Sequence, residues 1–328
     1  MKKQSLGIIG LGKMGGNLAL QAMDKGYQMV GYDLHQNPEL QEAGLTQAAS
    51  VEEMLESLSS PKIVFIYVPA GAVIDRIIEQ LASLLSEGDI IVDGGNSYWG
   101  DSIRRARKLK EHGIYFVDCG TSGGVDGARN GACFMAGGEA EAMNHIAPVL
   151  KNLSVPDGFV HTGAPGSGHF VKLVHNGIEF GMLQAIGEGM DLLANYREEL
   201  NFPEILKTWN NGSVIRSWLI ELMAKIYNEK QGFESVPSYI EDTGEVNWLV
   251  ADAMRMEVPV PVIAQSVMQL FASRNNDRIA DKAIAMMRNG FGSHPFGPDA
   301  GIQYERKFGK IENVESDFLY KKKVDSST

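Results

Sequence analysis

An α/β N-terminal domain of the Rossmann type followed by an all-α C-terminal domain is what this sequence predicts, and three observations carry the prediction. Short apolar runs alternate with amphipathic stretches over the first half, the pattern of a parallel sheet covered by helices. A glycine loop, Gly10-Leu11-Gly12-Lys13-Met14-Gly15, separates the first apolar run from the first amphipathic stretch. After Gly163-Ala164-Pro165-Gly166 the strand pattern stops, and helical periodicity continues between turn clusters such as Asn210-Asn211-Gly212.

In chain order, strands are expected at residues 6–9, 28–32, 63–68, 90–92, 114–117, 133–136 and 159–161, each a short apolar run of the kind buried on both faces. Helices are expected near residues 14–25, 51–58, 71–86, 100–112 and 139–150. The boundary falls near residue 165, giving domains of 1–165 and 166–328. Beyond Asn289, the glycines and prolines from Gly290 to Pro298 are expected to end regular structure and leave an arm of about 30 residues.

A chain of 328 residues, at about 150 per domain, is long enough for two such domains. With 44% hydrophobic and 22% charged residues it has the composition of a folded chain, not a disordered one. A net charge of −11 repels a nucleic-acid backbone unless a basic patch interrupts it. Two basic runs exist, Arg104-Arg105-Ala106-Arg107-Lys108 with Lys110, and Lys321-Lys322-Lys323. On a helix the first spreads round several faces and reads as solvated surface, so nucleic acid is not expected as a partner. Cys119 and Cys133 lack metal-ligand spacing and suit core packing in a reducing compartment. No metal is expected. The longest apolar stretch, residues 63–74, is broken by Pro69 and is too short for a membrane span. The start of the chain leads into the glycine loop without a cleavage-site pattern, so a cytoplasmic protein is expected.

In the glycine loop, Gly10 permits a tight turn, Gly12 lets the backbone approach a pyrophosphate, and Gly15 allows close helix packing, with the helix N-terminus facing the anion. The second strand then ends at Tyr32-Asp33, where a carboxylate can accept hydrogen bonds from an adenosine ribose. The charge of Asp33 repels a 2′-phosphate, and Leu34 offers no guanidinium to bind one. NAD is therefore expected, with NADP a poorer second through His35.

The segment from Gly168 to Phe180 carries the chemistry. At about 100° per residue, setting Lys172 at zero puts His175 near 300°, Asn176 near 40° and Glu179 near 340°. These four polar side chains share one stripe, while Phe170, Val171, Leu173, Val174, Ile178 and Met182 occupy the other directions, so a buried helix is expected. A buried polar stripe is costly unless it lines a cavity filled by a polar ligand. A Lys172–Glu179 ion pair is disfavoured because seven residues span about 10 Å of helix.

With these residues the chain resembles the decarboxylating 6-phosphogluconate dehydrogenases, within the wider β-hydroxyacid dehydrogenases. The most specific elements are the glycine loop, Asp93-Gly94-Gly95-Asn96-Ser97, Ser122-Gly123-Gly124 with Gly127-Ala128-Arg129, the stripe from Lys172 to Glu179, and Arg288-Asn289-Gly290-Phe291-Gly292-Ser293-His294. The length is similar to the family's short form. The resemblance implies that Lys172 is the base that takes the proton of the 3-hydroxyl as hydride leaves C3. That role needs a neutral amine, favoured by burial and by the positive nicotinamide ring. It implies that Glu179 is the acid that protonates the enediol left by carbon dioxide, a role favoured by apolar surroundings. It places Asn96 against substrate and nicotinamide ribose, the substrate carboxylate at Ser122, Gly123 and Gly124, and sugar hydroxyls at His175 and Asn176. Leu11, Lys13, Met14 and Val68 join Gly10, Gly12, Gly15 and Asp33 in the implied cofactor set. Taken alone, Ser122-Gly123-Gly124 is equally an ordinary loop.

Phosphate recognition departs from the family pattern. Phe180 stands where the family commonly has tyrosine, a lysine near Thr243 has no counterpart, and an arginine near Leu270 is absent. Arg274 is a nearby candidate that is equally a surface residue, whereas Arg288 and His294 keep the family spacing. The resemblance also implies that the C-terminal segment completes a neighbour's site, in a homodimer or dimer of dimers, the alternative being a frayed tail. The leading expectation is an NAD-dependent 6-phosphogluconate dehydrogenase acting on a sugar-acid phosphate. The alternatives are a dehydrogenase of another β-hydroxyacid and a catalytically silent NAD-binding protein.

Overall fold

The computed structural model describes residues 4–308. The basic tail residues Lys321, Lys322 and Lys323 lie outside the described residues. The first part of the chain runs β1 (Ser5–Ile9), α1 (Lys13–Asp24), β2 (Gln28–Tyr32), α2 (Pro38–Glu42), β3 (Thr46–Gln47), α3 (Val51–Glu56), β4 (Ile63–Ile66), α4 (Ala72–Leu84), β5 (Ile90–Asp93), α5 (Trp99–Lys110), β6 (Tyr115–Ser122), α6 (Gly124–Asn130), β7 (Ala132–Gly137), α7 (Ala140–Leu153) and β8 (Ser154–Gly163). The eight strands form one sheet in the order β3-β2-β1-β4-β5-β6-β7-β8. All neighbours are parallel except β6 and β7, which are antiparallel. Growth of the sheet reverses between β1 and β4, and in a doubly wound fold the loops at the carboxyl ends of strands beside that reversal form the ligand crevice.

Both faces of the sheet are covered, which is why the strands read as nearly unbroken apolar runs. Leu6, Ile8, Phe65, Val92 and Val117 face Leu18 and Ala19 of α1 and Ile146, Val149 and Leu150 of α7. Ile9, Val30, Val64, Ile66, Ile91 and Phe116 face Met54 of α3, Ile74 and Ile78 of α4, and Leu109 of α5. The N-terminal domain of the Rossmann type and the helical C-terminal domain are thus as the sequence predicts.

Several local features differ. The basic run on α5 is not uniformly solvated, because the Arg105 side chain is 1% exposed and paired to Asp75 and Asp93. Cys119 is buried in β6, but Cys133 is exposed in β7, not in the core. Its neighbours Ala132 and Phe134 point into the sheet's packed face, so the strand's two-residue period turns Cys133 outward.

The second part runs α8 (Ser167–Ala194), α9 (Phe202–Asn210), α10 (Trp218–Lys230), α11 (Glu245–Arg255), α12 (Pro261–Arg274), α13 (Ile279–Gly292) and α14 (Ala300–Phe308). The Asn201 carboxamide caps α9 by accepting from the Glu204 amide, and the Ser217 hydroxyl caps α10 by accepting from Ile220. The arm is more regular than the sequence suggests. α13 continues to Gly292 and stops where Ser293 turns left-handed at φ 52°, and α14 restarts after Asp299, whose carboxylate accepts from the Ile302 amide at 2.9 Å.

The chain divides into two compact units, one reaching Gly177 and including Gly244–Met256, the other comprising Ile178–Thr243 and the chain from Glu257 onward. In the second unit Met190, Phe202, Leu206 and Ile220 form a small core. Phe202, Tyr227 and Phe233 meet edge to face beside it, with ring centroids 5.1–6.0 Å apart. α13 buries no side chain. α8 is less buried than its composition predicts: Val171, Ile178 and Met182 are exposed on the single chain. Among the described residues no helix is long and apolar enough to cross a membrane.

Candidate active site

The first group of predicted site residues sits at the carboxyl ends of β1 and β2. Gly10 has φ 95°, and a side chain there would collide with the Tyr67 carbonyl, so the turn out of β1 requires glycine. Its amide is fixed by donating to the Tyr32 carbonyl at 2.9 Å. Gly12 is the N-cap of α1, no side chain accepts from the helix's first amides, and a Cβ built on Gly12 meets no protein atom within 4 Å. Donors and open space therefore coincide at a positive helix end, which suits an anion.

The Asp33 carboxylate is held beside this loop, accepting from the Leu11 amide at 2.7 Å and the His35 amide at 3.1 Å. It retains lone pairs for further donors. Leu34 beyond it is 85% exposed. A diphosphate at Gly10–Gly15 and a ribose diol at Asp33 fit these residues. Val68 follows β4 and is half-buried at the end of the next strand.

The second group is built where α8 starts against β6. Asp118 of β6 accepts from the Gly166 amide at 2.6 Å and the His169 amide at 2.7 Å, satisfying donors that a helix start leaves open. Burial pushes the Asp118 carboxyl above the usual carboxylate range, and the adjacent His169 and the two amides only partly offset that. Gly120 lets the helix come close, since a side chain on it would collide with Lys172 Cβ. Lys172 is consequently buried. Its Nζ donates to Asn176 Oδ1 at 2.7 Å and lies 3.4 Å from His175 Nδ1. The other ring nitrogen, Nε2, is 3.1 Å from the Ser122 hydroxyl. Ser122, Lys172, His175 and Asn176 thus form one connected polar group. Gly123 follows Ser122 as the N-cap of α6, at φ 111°, and Gly124 opens that helix.

Asn96 stands in the turn after β5, exposed, with Nδ2 donating to Glu245 Oε1 at 3.1 Å. Glu245 begins α11, which is held to the same turn by Asp252, whose carboxylate accepts from Tyr98 Oη at 3.0 Å and Trp99 Nε1 at 2.8 Å. Burial and the Asp252 charge raise the Tyr98 hydroxyl above its ordinary range. Sequence reasoning missed Asp118, Gly120, Glu245 and Asp252. Asp118 and Gly120 precede the recognisable Ser122 motif on β6, but only the packing of α8 reveals what they do.

The remaining predicted residues lie in the second unit. Glu179 is half-buried on α8. Arg274 is engaged by Asp242 at 2.8 Å and Glu241 at 3.4 Å, and the hydrogen bond to Asp242 above all holds its guanidinium charged, pushing its pKa above the usual value. Arg288 Nη2 comes within 3.5 Å of His294 Nε2, and the Asn289 carboxamide donates to the His294 carbonyl at 2.8 Å. Among the described residues no group of three or more His, Cys, Asp or Glu side chains could hold a metal ion.

The family model for the NAD binding domain of 6-phosphogluconate dehydrogenase matches residues 5–163, and that for the 6-phosphogluconate dehydrogenase C-terminal domain matches residues 168–304. The NAD(+)-dependent, decarboxylating 6-phosphogluconate dehydrogenase of Haloferax volcanii is 40% identical over 293 residues, covering 88% of this chain and 97% of that protein. The NADP(+)-dependent, decarboxylating enzyme of Bacillus subtilis is 36% identical over 293 residues, covering 83% of this chain and 62% of that one. The structure of Plasmodium falciparum 6-phosphogluconate dehydrogenase superposes with a TM-score of 0.77 at 27% identity, over 92% of this chain and 68% of the other. With its dinucleotide-type sheet domain and its helical second part both matched, the chain belongs to the 6-phosphogluconate dehydrogenase family of oxidoreductases.

Proposed function

We propose that this chain oxidises 6-phosphogluconate at C3 and decarboxylates it to ribulose 5-phosphate and carbon dioxide, with NAD in preference to NADP. The observation that carries the reading is the buried Lys172 amine, joined to Asn176, His175 and Ser122 in one polar group. Residues 1–165 hold the dinucleotide and 166–328 supply the substrate helix and the assembly surface. Bound, the nicotinamide supplies the hydride acceptor for C3. Lys172 Nζ takes the 3-hydroxyl proton as that hydride leaves. The protonated amine then polarises the new C3 carbonyl while the C1 carboxylate leaves as carbon dioxide, the electron pair passing into an enediol. Glu179 delivers a proton to the carbon that becomes C1 of the product. The Ser122 hydroxyl and the amides of Gly123 and Gly124 receive the substrate carboxylate, and His175, Asn176 and Asn96 bind its hydroxyls.

Replacing Glu179 with glutamine, which keeps the volume but cannot release the proton, is expected to slow product formation by about 10²-fold or more while NADH and substrate still bind. Turnover by Glu179→Gln equal to the parent's removes the acid from this scheme.

Phosphate recognition favours a second reading. Phe180 has no hydroxyl and Arg274 already carries two carboxylates, so an unphosphorylated β-hydroxyacid fits if Arg288 and His294 do not reach the substrate. For the phosphorylated substrate, we assign Arg288 and His294 to a partner's site in a homodimer or dimer of dimers. α13, which carries Arg288, buries no side chain and leaves Ile284, Met287 and Phe291 exposed, an apolar face suited to a second subunit. Co-expressing two inactive variants, Lys172→Met and Arg288→Ala, tests this. Action in trans gives each hybrid dimer one intact site, and partial activity returns. Verified hybrids without activity rule it out.

A further inference from the structure

We infer that Arg105 is a positioning residue for the reaction, acting through Asn96 by locking together two loops at the carboxyl ends of β4 and β5. Both loops lack regular structure, residues 67–71 leading into α4 and residues 94–98 leading into α5. They lie on adjacent parallel strands, β4 flanking the reversal of sheet order where the crevice of this fold opens and β5 next to it. Arg105 rises from α5 with a side chain only 1% exposed. Its Nε donates to Asp75 Oδ1 at 2.9 Å and its Nη2 to the Gly71 carbonyl at 3.3 Å, which fixes the first loop at the start of α4. Its Nη1 donates to Ser97 Oγ at 3.1 Å and to Asp93 Oδ2 at 3.4 Å, which fixes the second. Asp93 is fully buried, and it also accepts from Ser97 Oγ at 2.7 Å and from the Gly95 amide at 3.2 Å. Of the two residues flanking Asn96, Ser97 is bonded to the buried guanidinium directly and Gly95 through Asp93, while Asn96 itself stays exposed. A planar fork of donors reaches both loops at once, whereas a lysine ammonium has neither the span nor the number of fixed directions to do so.

The inference rests on the reading of Asn96 as a contact of substrate and nicotinamide ribose, and a double-mutant cycle separates the two. Arg105→Lys is expected to lower kcat/KM for 6-phosphogluconate about 10- to 100-fold and to weaken NADH binding, read independently by fluorescence titration. In an Asn96→Ala background the same change is expected to cost less than about threefold. Ser97→Ala, which cuts one strut and leaves the guanidinium in place, is expected to show the same coupling with a smaller loss, and it serves if Arg105→Lys does not fold. Equal losses in both backgrounds overturn the positioning role and leave Asn96 in place. If Asn96→Ala alone changes neither kcat/KM nor NADH binding, the reading of Asn96 fails and the inference falls with it.

Discussion

Replacing Lys172 with methionine is expected to abolish oxidation, with a loss on the order of 10²- to 10⁴-fold in kcat, the range a positioned acid–base group contributes. Methionine keeps the unbranched stem that fills the space against Gly120, so the fold is expected to survive. What disappears is the amine proposed to take the hydroxyl proton. Asn176 and His175, now 2.7 Å and 3.4 Å from Nζ, lose their shared partner but remain on the same helix face. NADH binding, assigned in this proposal to residues on other loops, is expected to change little. The check is turnover against NADH titration on the same preparation. A Lys172→Met enzyme that oxidises substrate at more than about a tenth of the parent rate is incompatible with this base.

The second large effect is on cofactor choice. Asp33→Asn with Leu34→Arg is expected to shift the ratio of kcat/KM for NADP over NAD by on the order of 10²- to 10⁴-fold. Each change is worth roughly 1.5–3 kcal/mol where a phosphate gains a charge-assisted hydrogen bond or loses a facing carboxylate, and about 1.4 kcal/mol is a factor of ten. Asparagine keeps an acceptor for the Leu11 amide, which the Asp33 carboxylate now meets at 2.7 Å, so the loop is preserved. Leu34 is exposed beside it, so an arginine there has room to reach. An unchanged ratio in the double variant means that Asp33 does not set the preference.

The glycine loop, the Asp33 carboxylate beside it and the Lys172–His175–Asn176 group on α8 were legible because each is local. A loop follows a strand, or side chains recur at helical spacing, and no long-range contact is needed to see it. The network around Asn96 was not, because its parts come from distant turns: Arg105 bonds to Asp75 thirty residues away and Asn96 to Glu245 at a separation of 149. A run of arginines and lysines on one helix reads as solvated whether or not one member turns inward. Asp118 and Gly120 carry no periodic signal either, and their roles exist only once α8 lies on β6. α2, β3 and α6 escaped for another reason. α2 and β3 have 5 and 2 residues, too few for periodicity to distinguish them from turns, and α6 carries Gly124 and Gly127, poor helix formers that read as a turn. The exposed sides of α8 mark the opposite limit, since apolar composition predicts burial but does not say whether the covering surface belongs to the same chain.

The most direct test of the account is to follow NADH and carbon dioxide together from 6-phosphogluconate labelled at C1. The account predicts that both form in equal amounts with NAD, that label leaves entirely as carbon dioxide, and that gluconate without the phosphate is a far poorer substrate. NADH without carbon dioxide, or equal turnover of phosphorylated and unphosphorylated acids, contradicts it.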